Sequence, residues 1–249
     1  DKYNVQVIGV QVDAIERVML DNGGSATLQI LYDQIERYYP TAKCSNTWDA
    51  GLRGVLYREL YHGHRFKKLG LSIYALADYK AEEILKTDKV RMHSLMEGIC
   101  VELGNTYNFQ TYTADPSVLY RDNTYLHNLS TLRDVPPFTY QEIIHYTRLI
   151  DVLWFNAQCL AFPKCAFEIV DSIGTLNSAL NRCLQLQNFQ TKFYIVSPVE
   201  HRKKFEQTMS MQIYEPFATR FQFLSYDQLQ DQYNRLVKGN TNQSLFPLI

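Results

Sequence analysis

The sequence predicts an α/β (α+β) protein of two domains, and three observations support this prediction. Residues 1–80 contain three segments with helical periodicity, followed by two short strand-like segments. Residues 88–249 alternate helix-like and strand-like segments, a pattern typical of a central mixed sheet flanked by helices. A charged and polar segment near residues 78–90 separates the two regions, and we place the domain boundary there.

Composition and charge argue against several classes of protein. The chain has 249 residues, 46% of them hydrophobic, which suffices for one large core or two small ones. No apolar run approaches the ~20 residues that span a bilayer, so we expect no membrane partner. The five cysteines are scattered without a CxxC pair, which argues against a disulfide framework or zinc site and favours a cytoplasmic location. The net charge of −1 gives no global attraction to nucleic acid, so such binding requires local clustering of basic residues.

The first domain is predicted to contain three helices and a β-ribbon. Apolar residues recur at helical spacing in the first two segments, and a third helix runs from about Trp48 to Tyr61. The predicted segments, in order, are helices near 9–20, 28–35 and 48–61 and strands near 65–68 and 71–76. This order is typical of a winged helix-turn-helix, in which the third helix reads DNA and the ribbon forms the wing.

Local charge supports DNA binding by the third helix and the wing. Residues 1–40 hold three basic and six acidic residues, whereas residues 41–68 hold six basic and two acidic residues. The basic face would neutralise phosphates of a duplex. The side chains expected to contact DNA here are Lys43, Trp48, Arg53, Arg65, Lys67 and Lys68. The alternative is a structural winged helix whose basic face is solvated or binds protein.

The second domain is predicted as a mixed sheet with flanking helices. Strands are expected near 109–113, 149–155, 165–170, 192–197 and 221–225, and helices near 90–104, 175–187 and 199–212. The segment 115–140 is polar and contains Pro116, Pro136 and Pro137, and we expect a long insertion or lid that extends over 115–147.

Two acids inside apolar strands are the strongest chemical signal. Asp151 lies in LIDVL and Glu168 lies in AFEIV, 17 residues later. A carboxylate in a buried strand is costly unless it is paired or binds a metal. If the two strands form a hairpin, the carboxylates converge and can hold Mg²⁺, which would activate water for phosphodiester hydrolysis. The alternative is that each acid forms a salt bridge, with Arg148 or Arg182 as the partner.

At these residues the chain resembles the PD-(D/E)xK nuclease core, and more narrowly a group of type II restriction endonucleases. The motifs are GICVELGN, IDVLWF, FEIVDS and KFYIVSP, in this order, within about residues 90–230. Some restriction enzymes also carry an N-terminal winged helix that reads sequence, which agrees with residues 1–80. The resemblance implies a winged-helix recognition domain over 1–80 and a restriction-endonuclease-like domain over 88–249.

The resemblance also implies roles for individual residues. Asp151 would be the first metal ligand and Glu168 the second, with Mg²⁺ as the cofactor and Mn²⁺ as an alternative. Glu102 or Glu97 would be the acid on the preceding helix. Arg182, on the helix after FEIVDS, would contact phosphate. Double-stranded DNA is the implied partner, and a symmetric homodimer is the expected assembly because two strands need two active sites.

One position departs from the family pattern. The third catalytic residue of the family, normally Lys, lies two residues after the Glu, and this chain has Val170 there. The role could have moved to Lys164, to Asp171 or to Lys192, or the site could work slowly with two acids. The domain could also have lost cleavage and retained only DNA binding.

We therefore expect a type II site-specific deoxyribonuclease, with Asp151, Glu168, Glu102 and Lys164 as the candidate catalytic residues. A catalytically inactive DNA-binding protein on a decayed nuclease fold is the main alternative. A protein-interaction module with a structural winged helix is the third hypothesis.

Overall fold

The computed structural model describes the backbone of residues 2–240 and 246 and the side chains of residues 9–240 and 246. The chain forms two compact units, one comprising Asp1–Glu83 with Arg121–Thr124 and the other Ile84–Tyr120 with Tyr125–Ile249. The predicted domains 1–80 and 88–249 extend over residues 1, 241–245 and 247–249, which lie outside the described residues.

The first unit combines three helices with a small antiparallel sheet. Its elements, in chain order, are α1 (Lys2–Asp21), β1 (Ser25–Thr27), α2 (Leu28–Gln34), α3 (Trp48–Arg58), β2 (Phe66–Lys68) and β3 (Ile73–Leu76). Thr27 caps α2, because its hydroxyl accepts a hydrogen bond from the Ile30 amide at 3.1 Å. Strand β3 pairs with both β1 and β2, and β1 is a strand that the sequence did not predict.

The core of the first unit lies between the helices. The residues of α1 that face inward include Ile15, Val18 and Met19, and α3 contributes Leu52 and Leu56. All five have relative exposures of 2% or less. Helix α3 therefore packs by one apolar stripe and leaves its opposite side to solvent.

The second unit is built on a five-stranded mixed sheet. Its elements, in chain order, are α4 (Lys89–Thr106), β4 (Phe109–Thr113), β5 (Leu119–Arg121), β6 (Thr124–Tyr125), α5 (Gln141–Thr147), β7 (Val152–Asn156), β8 (Pro163–Ile169), α6 (Leu176–Leu184), β9 (Lys192–Ser197), α7 (Arg202–Met209), β10 (Phe221–Ser225) and α8 (Tyr226–Val237). The strand order is β10-β9-β8-β7-β4. Within the sheet, β7 runs antiparallel to both β4 and β8, whereas β8, β9 and β10 run parallel to one another.

The two faces of this sheet are both buried. On one face Leu153, Ala166 and Ile195 belong to a core that includes Leu180 of α6. On the other face the ring of Trp154 lies 4.5 Å from that of Phe167, and its indole nitrogen donates to the Cys100 carbonyl of α4 at 2.9 Å. Helix α4 is thus fixed against the sheet.

The predicted insertion, 115–147, contains regular structure. It holds β5, β6, a short 3-10 turn at Leu126–Asn128 and α5. The short stretch Arg121–Thr124 belongs to the first unit. No helix among the described residues is long and apolar enough to cross a membrane.

One predicted strand boundary was wrong in a way that matters for the site. Strand β7 begins at Val152, not at residue 149, because α5 ends in a turn. In this turn the Leu149 amide donates to the Tyr146 carbonyl and the Ile150 amide to the Thr147 carbonyl, each at 3.1 Å. Asp151 therefore stands immediately before the strand rather than in its middle.

Candidate metal centre and active site

Three side chains from two parts of the second unit form a potential cation site. His93 and Glu97 are four residues apart on α4, so they lie on the same face of the helix. Asp151 reaches the same point from the start of β7. One ligand atom from each of the three residues lies within 4.8 Å of the other two.

The backbone of β8 fixes the Asp151 carboxylate. Val152 pairs with Phe167 across the β7–β8 ladder, so the next position places Asp151 opposite Glu168. The Ile169 amide donates to Asp151 Oδ2 at 2.7 Å. Burial raises the pKa of Asp151, and the Ile169 hydrogen bond and the charge of His93 counteract part of that rise.

Glu97 has the environment of a carboxylate that can bind a cation. Its side chain is fully buried, and neither carboxylate oxygen has a hydrogen-bond partner among the described residues. Burial, followed by the charge of Asp151, raises the pKa of Glu97 to about 9, although His93 lowers it. A buried carboxylate without a partner is costly, and a divalent cation would satisfy both oxygens. These residues therefore fit a divalent metal.

His93 links this cluster to a second carboxylate. Its Nδ1 lies 2.5 Å from Asp171 Oδ2, and its Nε2 lies 3.9 Å from Glu97 Oε1. Burial opposes protonation, but the Asp171 hydrogen bond and the charges of Glu97 and Asp151 outweigh it and raise the pKa of His93 to about 9. The other oxygen of Asp171 accepts a hydrogen bond from the Tyr226 hydroxyl at the first residue of α8.

Glu168 lies beside the cluster but is paired with arginine. Arg182 of α6 donates from Nε to Glu168 Oε1 at 2.7 Å and from Nη2 to Oε2. The pKa of Glu168 is raised to about 8, chiefly by burial. The hydrogen bonds from Arg182 lower this pKa, whereas the charge of Asp151 raises it further. The other candidate partner, Arg148, instead pairs with Asp134 at 2.7 Å. Arg182 is thus engaged by a carboxylate and presents no unpaired charge to phosphate.

Two of the predicted catalytic residues lie away from the cluster. Glu102 accepts hydrogen bonds from the hydroxyls of Tyr120, at 2.9 Å, and Tyr233. Lys164 is exposed near the start of β8, four residues and therefore about 13 Å along the strand from Glu168. Val170, at the position of the usual third residue, is buried in the core that includes α6.

The predicted DNA contacts of the first unit are mostly occupied by other side chains. Arg53 donates to the Tyr32 hydroxyl at 2.7 Å and to Asp49 at 3.0 Å. Four other predicted contacts also have partners: Lys43 forms a salt bridge with Glu36 and lies over the Trp48 ring, Trp48 packs edge-to-face with Tyr32, Arg65 forms salt bridges with Asp13 and Glu16, and Lys67 donates to the Tyr79 carbonyl. Lys68 is exposed at the end of β2.

His93 is not among the residues that the sequence predicted, and Glu97 entered only as an alternative to Glu102. The signal was present in the helical spacing. Residues 93 and 97 share one face, whereas residue 102 lies five positions from residue 97 and so about 140° around the helix. A helix that packs on a sheet cannot present Glu97 and Glu102 to the same point.

A cavity of about 290 Å³ opens next to the cluster. Met92, Asp171 and Tyr226 line its inner side, and Lys89 and His201 contribute nitrogen donors. His201 is held by the Ser197 hydroxyl, which lies 2.8 Å from its Nδ1. The cavity thus combines nitrogen donors that can bind phosphate with Asp171, whose carboxylate contacts His93 of the cluster.

Comparison with known proteins identifies the family. The family model described as the type II restriction enzyme NmeDI C-terminal domain matches residues 75–245, which is more than half of the chain. No curated protein and no solved structure matches. The chain therefore belongs to the family of the type II restriction enzyme NmeDI C-terminal domain.

Proposed function

We propose that the protein is a site-specific DNA endonuclease that hydrolyses phosphodiester bonds in double-stranded DNA with a divalent cation. The observation that carries this proposal is the buried cluster of His93, Glu97 and Asp151, in which Glu97 has no hydrogen-bond partner within the part of the chain that the structure describes. The order of α4, β4, β7, β8, α6 and β9 supports it, because PD-(D/E)xK nucleases place their acids on such a helix and hairpin.

The residues of the chain would divide the work between cation binding and positioning. His93, Glu97 and Asp151 would hold the cation, and Glu168 would stand beside it. A bound Mg²⁺ or Mn²⁺ polarises a phosphodiester and lowers the pKa of a water molecule. Asp151 keeps its orientation through the Ile169 amide. Lys89 and His201 in the neighbouring cavity are placed to contact phosphate oxygens of the strand being cut.

The first unit would provide recognition as a winged helix. Its order of helix, strand, helix, helix and hairpin supports this role, with α3 as the recognition helix. Arg53 would have to exchange its bonds to Tyr32 and Asp49 for contacts to DNA. We expect Arg53→Ala to weaken binding of the cognate duplex by about 1–3 kcal/mol in a fluorescence anisotropy titration. Unchanged affinity would exclude α3 from the interface.

The test of the activity is cleavage of plasmid DNA of mixed sequence with Mg²⁺ or Mn²⁺. The expected result is discrete fragments from the unaltered protein and none from Asp151→Asn. DNA binding by Asp151→Asn should survive in a gel shift, because loss of the carboxylate reduces repulsion of phosphate. The matched control is Asp134→Asn, which removes a largely exposed carboxylate from its bridge to Arg148 and should cleave normally.

A second candidate function is DNA binding without cleavage. It is favoured by the burial of Val170 in the core and by the pairing of Glu168 with Arg182. A gel shift with no cleavage in either cation would support this candidate and refute the nuclease. Absence of both binding and cleavage would refute both.

A further inference from the structure

The hydrogen bonds of Asp171 determine which nitrogen of His93 faces the cluster. Nδ1 of His93 is taken by Asp171 Oδ2 at 2.5 Å, so Nε2 is the nitrogen left to face Glu97. The 3.9 Å between Nε2 and Glu97 Oε1 is too long for a hydrogen bond. His93 and Glu97 each offer one atom to the same group of three potential ligand atoms.

Both carboxylate oxygens of Asp171 have hydrogen-bond partners, and Asp171 is outside the group of three potential ligands. One oxygen meets His93 and the other accepts from the Tyr226 hydroxyl. This leaves Asp171 as a support for the imidazole ring rather than a ligand. A carboxylate that accepts the second ring N–H of a ligating histidine fixes both its tautomer and its orientation.

The donor set distinguishes classes of cation. Mg²⁺ prefers oxygen ligands, and a histidine nitrogen adds little to its affinity. First-row transition-metal dications accept imidazole readily, and they also tolerate carboxylate. A cluster of one imidazole and two carboxylates therefore discriminates in favour of the second class.

We infer that His93 is a metal ligand, that Asp171 and Tyr226 are its positioning residues, and that the site binds a transition-metal dication such as Mn²⁺ in preference to Mg²⁺. This inference deepens the proposed function and rests on its metal centre. The inference also gives a role to the hydrogen-bonded series His93–Asp171–Tyr226. A metal site made of two carboxylates alone would not need this series.

The direct test is pulsed electron paramagnetic resonance of the full chain loaded with Mn²⁺ and without DNA. Electron spin echo modulation should show a directly bound ¹⁴N nucleus in the unaltered protein and none in His93→Gln. Bound Mn²⁺ without ¹⁴N modulation in the unaltered protein would overturn the inference, as would absence of Mn²⁺ binding. The unaltered protein therefore decides the question even if His93→Gln does not fold.

Calorimetric affinities for Mn²⁺ and Mg²⁺ test the positioning role. Asp171→Ala should lower Mn²⁺ affinity by about 10–100-fold and reduce the ratio of Mn²⁺ to Mg²⁺ affinity. Asp171→Asn keeps an acceptor for the ring N–H but loses the charge, so both affinities should fall while the ratio is retained. Equal loss for both cations in Asp171→Ala would show that Asp171 acts by charge alone and would refute the positioning role.

The outcomes separate this inference from the proposed function. Cleavage that depends on Asp151, together with Mn²⁺ binding that lacks a nitrogen ligand, would retain the nuclease and remove the role of His93. Nitrogen-coordinated Mn²⁺ without cleavage would retain the metal centre and refute the nuclease.

Discussion

At the scale of single residues, the candidate centre concentrates buried acids whose charges the fold compensates only in part. No described residue forms a hydrogen bond with the Glu97 carboxylate, and its pKa is raised to about 9 by burial and by the charge of Asp151. Glu168 has an arginine partner and still has its pKa raised to about 8 by burial. Such a cluster costs folding energy at neutral pH unless protons or a cation neutralise it. The acids therefore make the stability of the protein depend on both pH and metal.

Glu97→Gln tests this dependence. Because the pKa of Glu97 rises from 4.5 to about 9 on folding, the folded protein keeps a proton that the unfolded chain loses between those values. Stability in EDTA should therefore fall as the pH rises from 5 to 9, and the fall should be shallower in Glu97→Gln. The measurement is the thermal unfolding midpoint across that range. Parallel pH profiles of the unfolding midpoint for the two proteins would contradict the prediction. Added Mn²⁺ should raise the unfolding midpoint of the unaltered protein more than that of Glu97→Gln.

The pair of Glu168 and Arg182 should be a structural requirement as well as part of the site. Arg182→Met leaves a fully buried carboxylate unpaired and should cost about 3 kcal/mol in urea unfolding. Arg182→Met combined with Glu168→Leu should recover much of this loss, because no buried charge remains. The control is Arg148→Met, whose partner Asp134 is 60% exposed, and its cost should stay under about 1 kcal/mol. Equal costs for the two arginines would show that Glu168 is well hydrated.

At the scale of elements, helix α4 carries two of the three candidate ligands and packs closely at Gly98. A Cβ atom at this position would overlap the ring of Tyr120, which is fully buried. Glu102 anchors the same ring by accepting a hydrogen bond from its hydroxyl at 2.9 Å. Glycine at position 98 therefore lets α4 pack closely on Tyr120 of β5, one residue after the candidate ligand Glu97.

Gly98→Ala should displace α4 and weaken the cation site. We expect a loss of about 1–3 kcal/mol in stability from overpacking and at least a tenfold loss of Mn²⁺ affinity by calorimetry. Gly54→Ala in α3 is the matched control, since a Cβ there meets nothing within 4 Å. The control should leave Mn²⁺ affinity unchanged and add about 0.5–1 kcal/mol of stability. A Gly98→Ala protein with unaltered Mn²⁺ affinity would show that α4 does not set the ligand geometry.

The sequence predicted the bounds of a helix or strand where the local pattern of apolar residues marks both of its ends. The strands at Phe109–Thr113 and Lys192–Ser197 agree with their predictions because alternation or an apolar run defines both ends. The start of β7 does not agree, because the turn that ends α5 depends on backbone hydrogen bonds that apolar side chains do not reveal. The meeting of His93 with Asp171 depends on residues 78 positions apart and on no local pattern.

At the scale of the whole molecule, charge is distributed rather than concentrated. The net charge is −1, and the basic segment 41–68 has most of its cationic groups paired with acids or carbonyls. Binding to DNA would exchange these internal pairs for phosphates, so the affinity should depend on geometry as well as on charge. This exchange should give a duplex of complementary shape a higher affinity than other polyanions.

The described residues contain one cation cluster per chain, and cutting both strands in a single binding event would need two such centres of opposite polarity. We therefore predict a homodimer that acts on a plasmid with a single cleavage site and converts it directly to the linear form. Subunit mixing tests this: excess Asp151→Asn subunits should form mixed dimers with one active centre, so that nicked circles replace linear DNA. A monomer that cuts the strands in turn would only slow down in the mixture, with an unchanged ratio of nicked to linear product. Light scattering should give a mass near twice the 29.1 kDa of one chain, and a single-chain mass bound to DNA would exclude the dimer.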